Sequence, residues 1–468
     1  MKSIFKFALF ILVLSLTFSC FEDNDDSISL DTDIKNFVWN AMNFAYLYND
    51  ISPNLGNDRF ASDNDYQSFL NSYESPEDLF ESLIYKRDSV DRFSWITSDY
   101  IALEQQFSGI TKTSGAEFNF YDVPGSTTDL FGIVRLVQPN SNASTANLVR
   151  GQIFNKIDGI VLTKDNLRSL LSSETYTLNL ASYNTNGTDT SDDDSITDGT
   201  ETITLTKTVF SENPIFKTKI LTSNNENVGY IMYNGFVADY DEQLNAVFAE
   251  FQSQNIQHLI LDLRYNPGGS VNSARILGSM ITGISNGIFA KLQYNNDLQS
   301  NNTNYDFDNT FSDGIAINSV GLNKVFIIAT KGSASASEMI INSLRSYINV
   351  VHIGTKTVGK SQASVTLYDS PNFQRQGANA GHLYALQPLV AITVNKDDLE
   401  VPPTGLTPTI QVVENVSNYG VLGETNEPLL AAALAAIATG RLAIDTQSIR
   451  PVFDSNSFKP HSQEMYID

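Results

Sequence analysis

Residues 331–360 read KGSASASEMIINSLRSYINVVHIGTKTVGK. Just before them, Val325–Ala329 is an apolar run of strand length. A small-residue turn follows at Gly332–Ser337, and from Ser335 to about Ile348 apolar residues recur at helical spacing. Val350–Gly354 is a second apolar strand, and it leads to Lys360. The pattern puts Ser335 where a strand turns into a helix, with a lysine beyond the next strand. Strand, helix, strand is the repeating unit of an α/β domain with a largely parallel sheet.

The alternation extends outward from this stretch. Upstream, Val228–Phe236 reads as a strand, Tyr240–Gln254 as an amphipathic helix and His258–Arg264 as a buried strand. The turn Asn266-Pro267-Gly268-Gly269 leads to a helix over Val271–Ile284, and Lys324–Thr330 is the next strand. Downstream, His382–Asn395 reads as a strand and Glu424–Ala438 as a core-packing helix. Residues 213–440 are assigned to this domain and 441–468 to a surface tail. Functional loops of such sheets lie at the carboxyl ends of strands, where the NPGG and GSASAS turns both fall.

The residue types limit the chemistry. There are four histidines; His258 starts an apolar strand, His352 lies inside one, and His382 and His461 have no neighbouring partner in sequence. A Ser-His-Asp triad is therefore poorly supported, and no G-x-S-x-G elbow surrounds Ser335. No His, Asp and Glu cluster at ligand spacing, so no metal or other cofactor is expected. Hydrolysis by serine and lysine needs neither. A lysine acts as a general base where burial disfavours its ammonium form, and Lys360 follows an apolar strand and a glycine.

Three blocks resemble the C-terminal processing peptidases, or tail-specific proteases, which are Ser/Lys enzymes with a ClpP- and crotonase-like fold. They are LDLRYNPGG at Leu261–Gly269, GSASASE at Gly332–Glu338 and GTKTVGK at Gly354–Lys360. In that family the nucleophile lies three residues before the Glu and 25 before the Lys; Ser335, Glu338 and Lys360 have these spacings. The resemblance implies that Ser335 attacks a peptide carbonyl and Lys360 takes its proton. The amides of Ala336 and of either Gly268 or Gly269 would cradle the oxyanion. Ser333 and Ser337 then read as turn or capping serines. Asp262, Arg264 and Glu338 are supporting residues, the first two as an internal ion pair. The family commonly carries Gln four residues after the Lys; here that position is Ser364 and the glutamine is Gln362. If 360–364 is a strand, residues 360, 362 and 364 share a face, and either residue could orient the amine.

The other regions differ in character. Residues 31–104 carry helical patterns: Ser75 is a candidate cap with Pro76 in the first turn, and Trp39, Tyr46, Tyr48, Phe93 and Trp95 are expected mainly in the core of a small helical cap. Residues 105–212 are β-rich. Within them LVRGQIFNKIDGI, from Leu148 to Ile160, resembles a PDZ domain, which implies capture of a peptide as an added strand. The polar stretch Asn184–Gly199 reads as a solvated hairpin loop rather than a calcium site.

At the amino end, Lys2 and Lys6 precede the apolar run Phe7–Phe18 and Ser19-Cys20, a signal-peptide pattern too short to span a bilayer. It resembles a bacterial lipoprotein signal, in which Cys20 is lipidated. The acidic linker 21–30 resembles the export signal of surface lipoproteins in Bacteroidetes-type bacteria. With one cysteine in 468 residues no internal disulfide can form. A net charge of −24 argues against nucleic acid as a partner.

Together these readings describe a multidomain chain: helical cap, PDZ-like domain and α/β protease domain. The expected function is an envelope endopeptidase, membrane-anchored through lipid, that cuts polypeptides at C-terminal or unstructured segments. The alternative is an inactive peptide-binding scaffold on the same fold.

Overall fold

The computed structural model describes residues 30–188, 190–439, 451–458 and 465–467. The signal-peptide and Cys20 readings, and His461, lie outside these residues.

The site is carried by a six-stranded sheet. Its spatial order is Ile215–Ser223, Glu226–Tyr233, His258–Asp262, Lys324–Ala329, Asn349–Gly354 and Ile410–Gln411. The first pair is antiparallel and the rest are parallel. Beyond the half-buried Lys324, strand Lys324–Ala329 is apolar because both of its faces are covered. Val325, Ile327 and Ala329 join a core with helices Asp241–Ser253, Val271–Thr282 and Ala336–Leu344. Phe326 and Ile328 join a second core with helix Pro428–Thr439 on the opposite face.

A second six-stranded sheet adjoins this one, ordered Gly269–Ser270, Met465–Tyr466, Gln362–Ser364, Leu389–Val394, Ile288–Tyr294 and Thr303–Asp306. The expected strand His382–Asn395 is in fact two, Ala385–Gln387 and Leu389–Val394, in different sheets. Pro388 lies between them and has no N–H for a ladder. The surface-tail reading also needs correction. Phe453–Asp454 pairs with Ala116–Asp122, and Met465 is fully buried between strands.

Residues 116–206 hold a sheet with its own core, which includes Phe118, Phe120, Phe154, Leu178 and Leu205. Strand Ser195–Thr206 takes in the last part of the stretch read as a loop. The amino-terminal helices Leu30–Ala45, Asp63–Asn71 and Pro76–Leu83 share a core with the α/β domain. Ser75 Oγ accepts from the Asp78 amide at 3.1 Å, the N-cap its position predicts. Tyr46 and Trp95 are buried, whereas Trp39 and Tyr48 pack on the core from its edge. No helix among the described residues is long and apolar enough to cross a membrane.

Candidate active site

Strand Lys324–Ala329 ends in a turn that returns at Ser335, and helix Ala336–Leu344 starts there. All nine residues of this helix are buried, so the turn is held on every side. Ser335 adopts φ 64° and ψ −118°. For a residue with a Cβ such backbone costs about 1–3 kcal/mol and persists only where surrounding contacts impose it.

Those contacts separate the three serines. Ser333 Oγ donates to the Leu263 carbonyl at 2.7 Å and accepts from the Thr330 amide at 2.9 Å. Ser337 Oγ donates to the Asn266 carbonyl at 3.0 Å. Both hydroxyls thus tie the GSASAS turn to the neighbouring 263–266 segment. Ser335 Oγ, equally buried, has no hydrogen-bond partner among the described residues.

Glu338 is the common anchor of the two blocks. Its Oε2 accepts from the Ser335 amide at 3.0 Å and from the Lys360 amide at 2.9 Å. Its Oε1 accepts from the Gly359 amide at 2.7 Å and from Thr357 Oγ1. One carboxylate therefore joins the strained serine turn to the lysine loop. Burial raises the Glu338 pKa above its usual 4.5, and the hydrogen bonds oppose this. A folded-state pKa above the unfolded value means that this group adds stability below about 4.5, which is lost as pH rises. Ionisation costs stability yet completes the acceptor set. Glu338→Ala strands four buried donors at about 1–3 kcal/mol each. The expected result is at least a roughly tenfold loss of any Ser335-dependent activity, a factor worth about 1.4 kcal/mol. Steady-state kinetics checks this against a thermal melt.

Lys360 is fully buried. Its Nζ lies 5.1 Å from the ring centroid of Phe93. Phe93 comes from the amino-terminal region, on a turn organised by Asp91. Asp91 Oδ1 accepts from the amides of Phe93 and Ser94, and Oδ2 from Tyr46 Oη at 2.7 Å. The adjacent Arg92 donates to the Gly359 carbonyl at 3.0 Å. Gly359 has φ 87°, and a Cβ there would lie 2.3 Å from the Pro403 carbonyl oxygen, so only glycine fits.

The NPGG turn packs against the serine turn. Asn266 Nδ2 donates to the Tyr233 carbonyl at 2.9 Å, and Asn266 Oδ1 accepts from the Gly268 amide at 2.9 Å. The Gly268 N–H is therefore engaged inside its own turn. Gly269 has φ 131°, with the Phe236 carbonyl oxygen 2.1 Å from where a Cβ would be. Ala336 occupies the first helical position, where amides have no intrahelical partner.

Asp262 and Arg264 lie behind the turn and are fully buried. Arg264 pairs with Asp262 at 2.8 Å and with Glu427 at 2.6 Å; Glu414 is 3.5 Å away. Tyr230 Oη donates to Asp262 at 2.9 Å. Arg150, from the β-rich region, donates to Glu414 at 2.6 Å and to Tyr265 Oη at 2.7 Å. Arg150, Glu414 and Glu427 were absent from the sequence-based set because no local pattern marks them.

Strand pairing begins only at Gln362, two residues after Lys360, and the register shifts between Ala363 and Ser364. Ser364 Oγ donates to the Met465 carbonyl at 3.1 Å. Gln362 pairs with Ile392 across the sheet and is half-buried. The histidines are elsewhere: His258 pairs with Glu226, His382 with Asp369, and His352 with the Ala329 carbonyl. Burial pushes the His352 imidazole down to about 4. Among the described residues no three His, Cys, Asp or Glu are grouped to hold a metal ion.

Residues 227–412 match Peptidase family S41, and residues 33–95 match the Peptidase S41 N-terminal domain. The chain carries a peptidase family S41 domain preceded by an S41 N-terminal domain. Its S41 core contains the Ser335, Glu338 and Lys360 cluster, and the S41 N-terminal domain supplies Phe93. The chain is 27% identical over 191 residues to a "Probable CtpA-like serine protease" of Staphylococcus epidermidis, covering 39% of this chain and 37% of that protein. It is 25% identical over 242 residues to a carboxyl-terminal-processing protease of Picosynechococcus, covering 51% of each. The chain thus spans from about a third to a half of the length of these relatives. A solved structure of a Bacteroides fragilis protein assigned to the S41 proteases superposes with a TM-score of 0.68 at 26% identity. That match covers 86% of this chain and 96% of that one.

Proposed function

We propose that this S41 chain is a serine endopeptidase that cuts polypeptides through a Ser335/Lys360 dyad. The observation that carries the reading is the unengaged Ser335 hydroxyl on a strained turn, beside two serines whose hydroxyls are both committed. In the proposed reaction Ser335 Oγ attacks the peptide carbonyl and its proton passes to the Lys360 amine. The C–N bond then breaks, the amine leaves with a proton from Lys360, and water releases the acyl group from Ser335. Burial disfavours an ammonium, which suits Lys360 to act as the base. The Ala336 amide at the helix start suits the oxyanion. Of the two glycines, the engaged amide of Gly268 favours Gly269 as the second donor. Gln362 and Ser364 both stay candidates for orienting the lysine, and the Ser364 bond to Met465 weighs towards Gln362.

In the same proposal the β-rich region is PDZ-like and captures substrate tails. A cavity of about 670 Å³ supports this. It runs from Tyr176 and Lys207 of that region to Pro267, Gly268 and Gly269. Cys20 would carry the lipid that anchors the protein to the cell envelope. Cys20→Ser is expected to move the protein from the membrane fraction to the soluble one, which fractionation and blotting would check. Unchanged retention would refute lipidation at that residue.

One observation favours the second reading, a peptide-binding scaffold: Ser335 and Lys360 both lack exposed surface. Incubating residues 21–468 with unstructured polypeptides decides between the two. Fragments that require both Ser335 and Lys360 support the peptidase, and their absence over a broad pH range favours the scaffold.

A further inference from the structure

The segment Met465–Ile467 lies in the site itself. It runs parallel between Gly269–Ser270, the proposed oxyanion strand, and Gln362–Ser364, which follows the lysine. Met465 aligns with Gly269, and Tyr466 aligns with both Ser270 and Ser364. The Ile467 amide donates to the Ser364 carbonyl at 3.1 Å, and the Met465 carbonyl accepts from Ser364 Oγ at 3.1 Å. Met465 is fully buried in the main core. Tyr466 stacks on Phe107 with ring centroids 4.2 Å apart, and its hydroxyl faces the Phe236 carbonyl at 3.5 Å. Tyr466 also forms part of the wall of the 670 Å³ cavity beside Gly268 and Gly269.

A strand position open on both edges, between the proposed oxyanion strand and the strand that follows Lys360, is how a protein takes an extended peptide. Main-chain bonds give affinity there, and alternate side-chain pockets give specificity. We propose that the gap between Gly269–Ser270 and Gln362–Ser364 is the substrate slot, and that Met465–Ile467 fills it as a pseudosubstrate in cis. The slot takes an extended peptide bearing a flexible apolar residue followed by an aromatic one. The first enters the core pocket of Met465, and the second stacks on Phe107. The intact chain is held closed, consistent with the burial of Ser335 and Lys360. A substrate must displace the segment, so its apparent affinity is lowered by the small fraction of open chains. This inference rests on the peptidase reading for its chemistry but not for its binding.

The test compares residues 21–468 with 21–464 and uses the free peptide HSQEMYID, which repeats residues 461–468, with a scrambled control. The shortened chain is expected to cleave an unstructured polypeptide with kcat/KM raised roughly tenfold or more. HSQEMYID is expected to inhibit it competitively, raising KM at constant kcat, while the scrambled peptide does nothing. Met465→Asp in the full-length chain gives the same activation if shortening prevents folding. Fluorescein-labelled HSQEMYID bound to Ser335→Ala of the shortened chain, read by anisotropy, reports the slot without catalysis. Tight binding there with no cleavage by any form would uphold the slot and remove the peptidase. Cleavage that neither shortening nor peptide alters would overturn the slot and leave the peptidase standing. Activity lost on shortening and restored by the peptide would also overturn it, since the segment would then be a structural strand.

Discussion

Ser335→Ala is expected to lower kcat/KM on an unstructured polypeptide by roughly 10⁴-fold or more, with the melting temperature nearly unchanged. The size follows from losing the atom proposed to form the covalent intermediate, since water has no comparably placed substitute. Stability should hold because Ser335 Oγ has no hydrogen-bond partner to lose. The strained φ of 64° stays, and so does the amide bond to Glu338. Lys360→Ala should bring a comparable loss, because in the proposed dyad the two groups act as one unit and their effects are not additive. Lys360→Ala also removes a buried amine above Phe93, so a small change in melting temperature is expected there alone. Ser333→Ala and Ser337→Ala test the assignment from the other side. Each breaks a bond to the 263–266 segment and should affect stability more than turnover.

Arg264→Met is expected to be the most destabilising single change near the site. It leaves the fully buried Asp262 and the paired Glu427 facing each other without their cation. Breaking a buried pair by removing one partner costs about 3–5 kcal/mol, a large part of the 5–15 kcal/mol by which domains are usually stable. Urea unfolding would measure it. The pH dependence has a definite sign. Burial raises the Glu427 pKa, but Arg264 more than offsets this and holds it below the usual 4.5. Glu414 is held low in the same way by Arg150 and Arg264. Depressed carboxylate values contribute stability above about 4.5, which is lost as pH falls through them. Asp262 has the opposite sign, because its burial outweighs Arg264 and raises its pKa. Without the guanidinium all three carboxyls favour protonation. The variant should therefore differ most from the parent near neutrality and least in acid.

The serine turn was legible because it is local. An apolar strand, a run of small residues and a helical period fall within thirty residues, and the resemblance to the tail-specific proteases, through its spacings to Glu338 and Lys360, singles out one serine. The alternation of strand and helix around it was legible for the same reason. Less of the site's support could be read. Glu338 is visible as an acid one turn into a helix, but its four donors come from separated loops that only the fold assembles. Phe93 looks like an ordinary core aromatic until the Asp91 turn carries it over Lys360. Met465–Tyr466 is a two-residue strand with no periodicity to detect, in a stretch whose composition resembles surface. Its burial depends on partners that lie far upstream in the chain.

The proposed roles of Ser335 as nucleophile and Lys360 as its base are tested by reacting the chain with a fluorophosphonate. Residues 21–464 and 21–468 would both be used, and the adduct mapped by peptide mass spectrometry. One modified residue is expected, Ser335, reacting faster in the shorter chain, strongly slowed by Lys360→Ala and absent in Ser335→Ala. An adduct on Ser333, Ser337 or any other residue while Ser335 stays unmodified would contradict those roles.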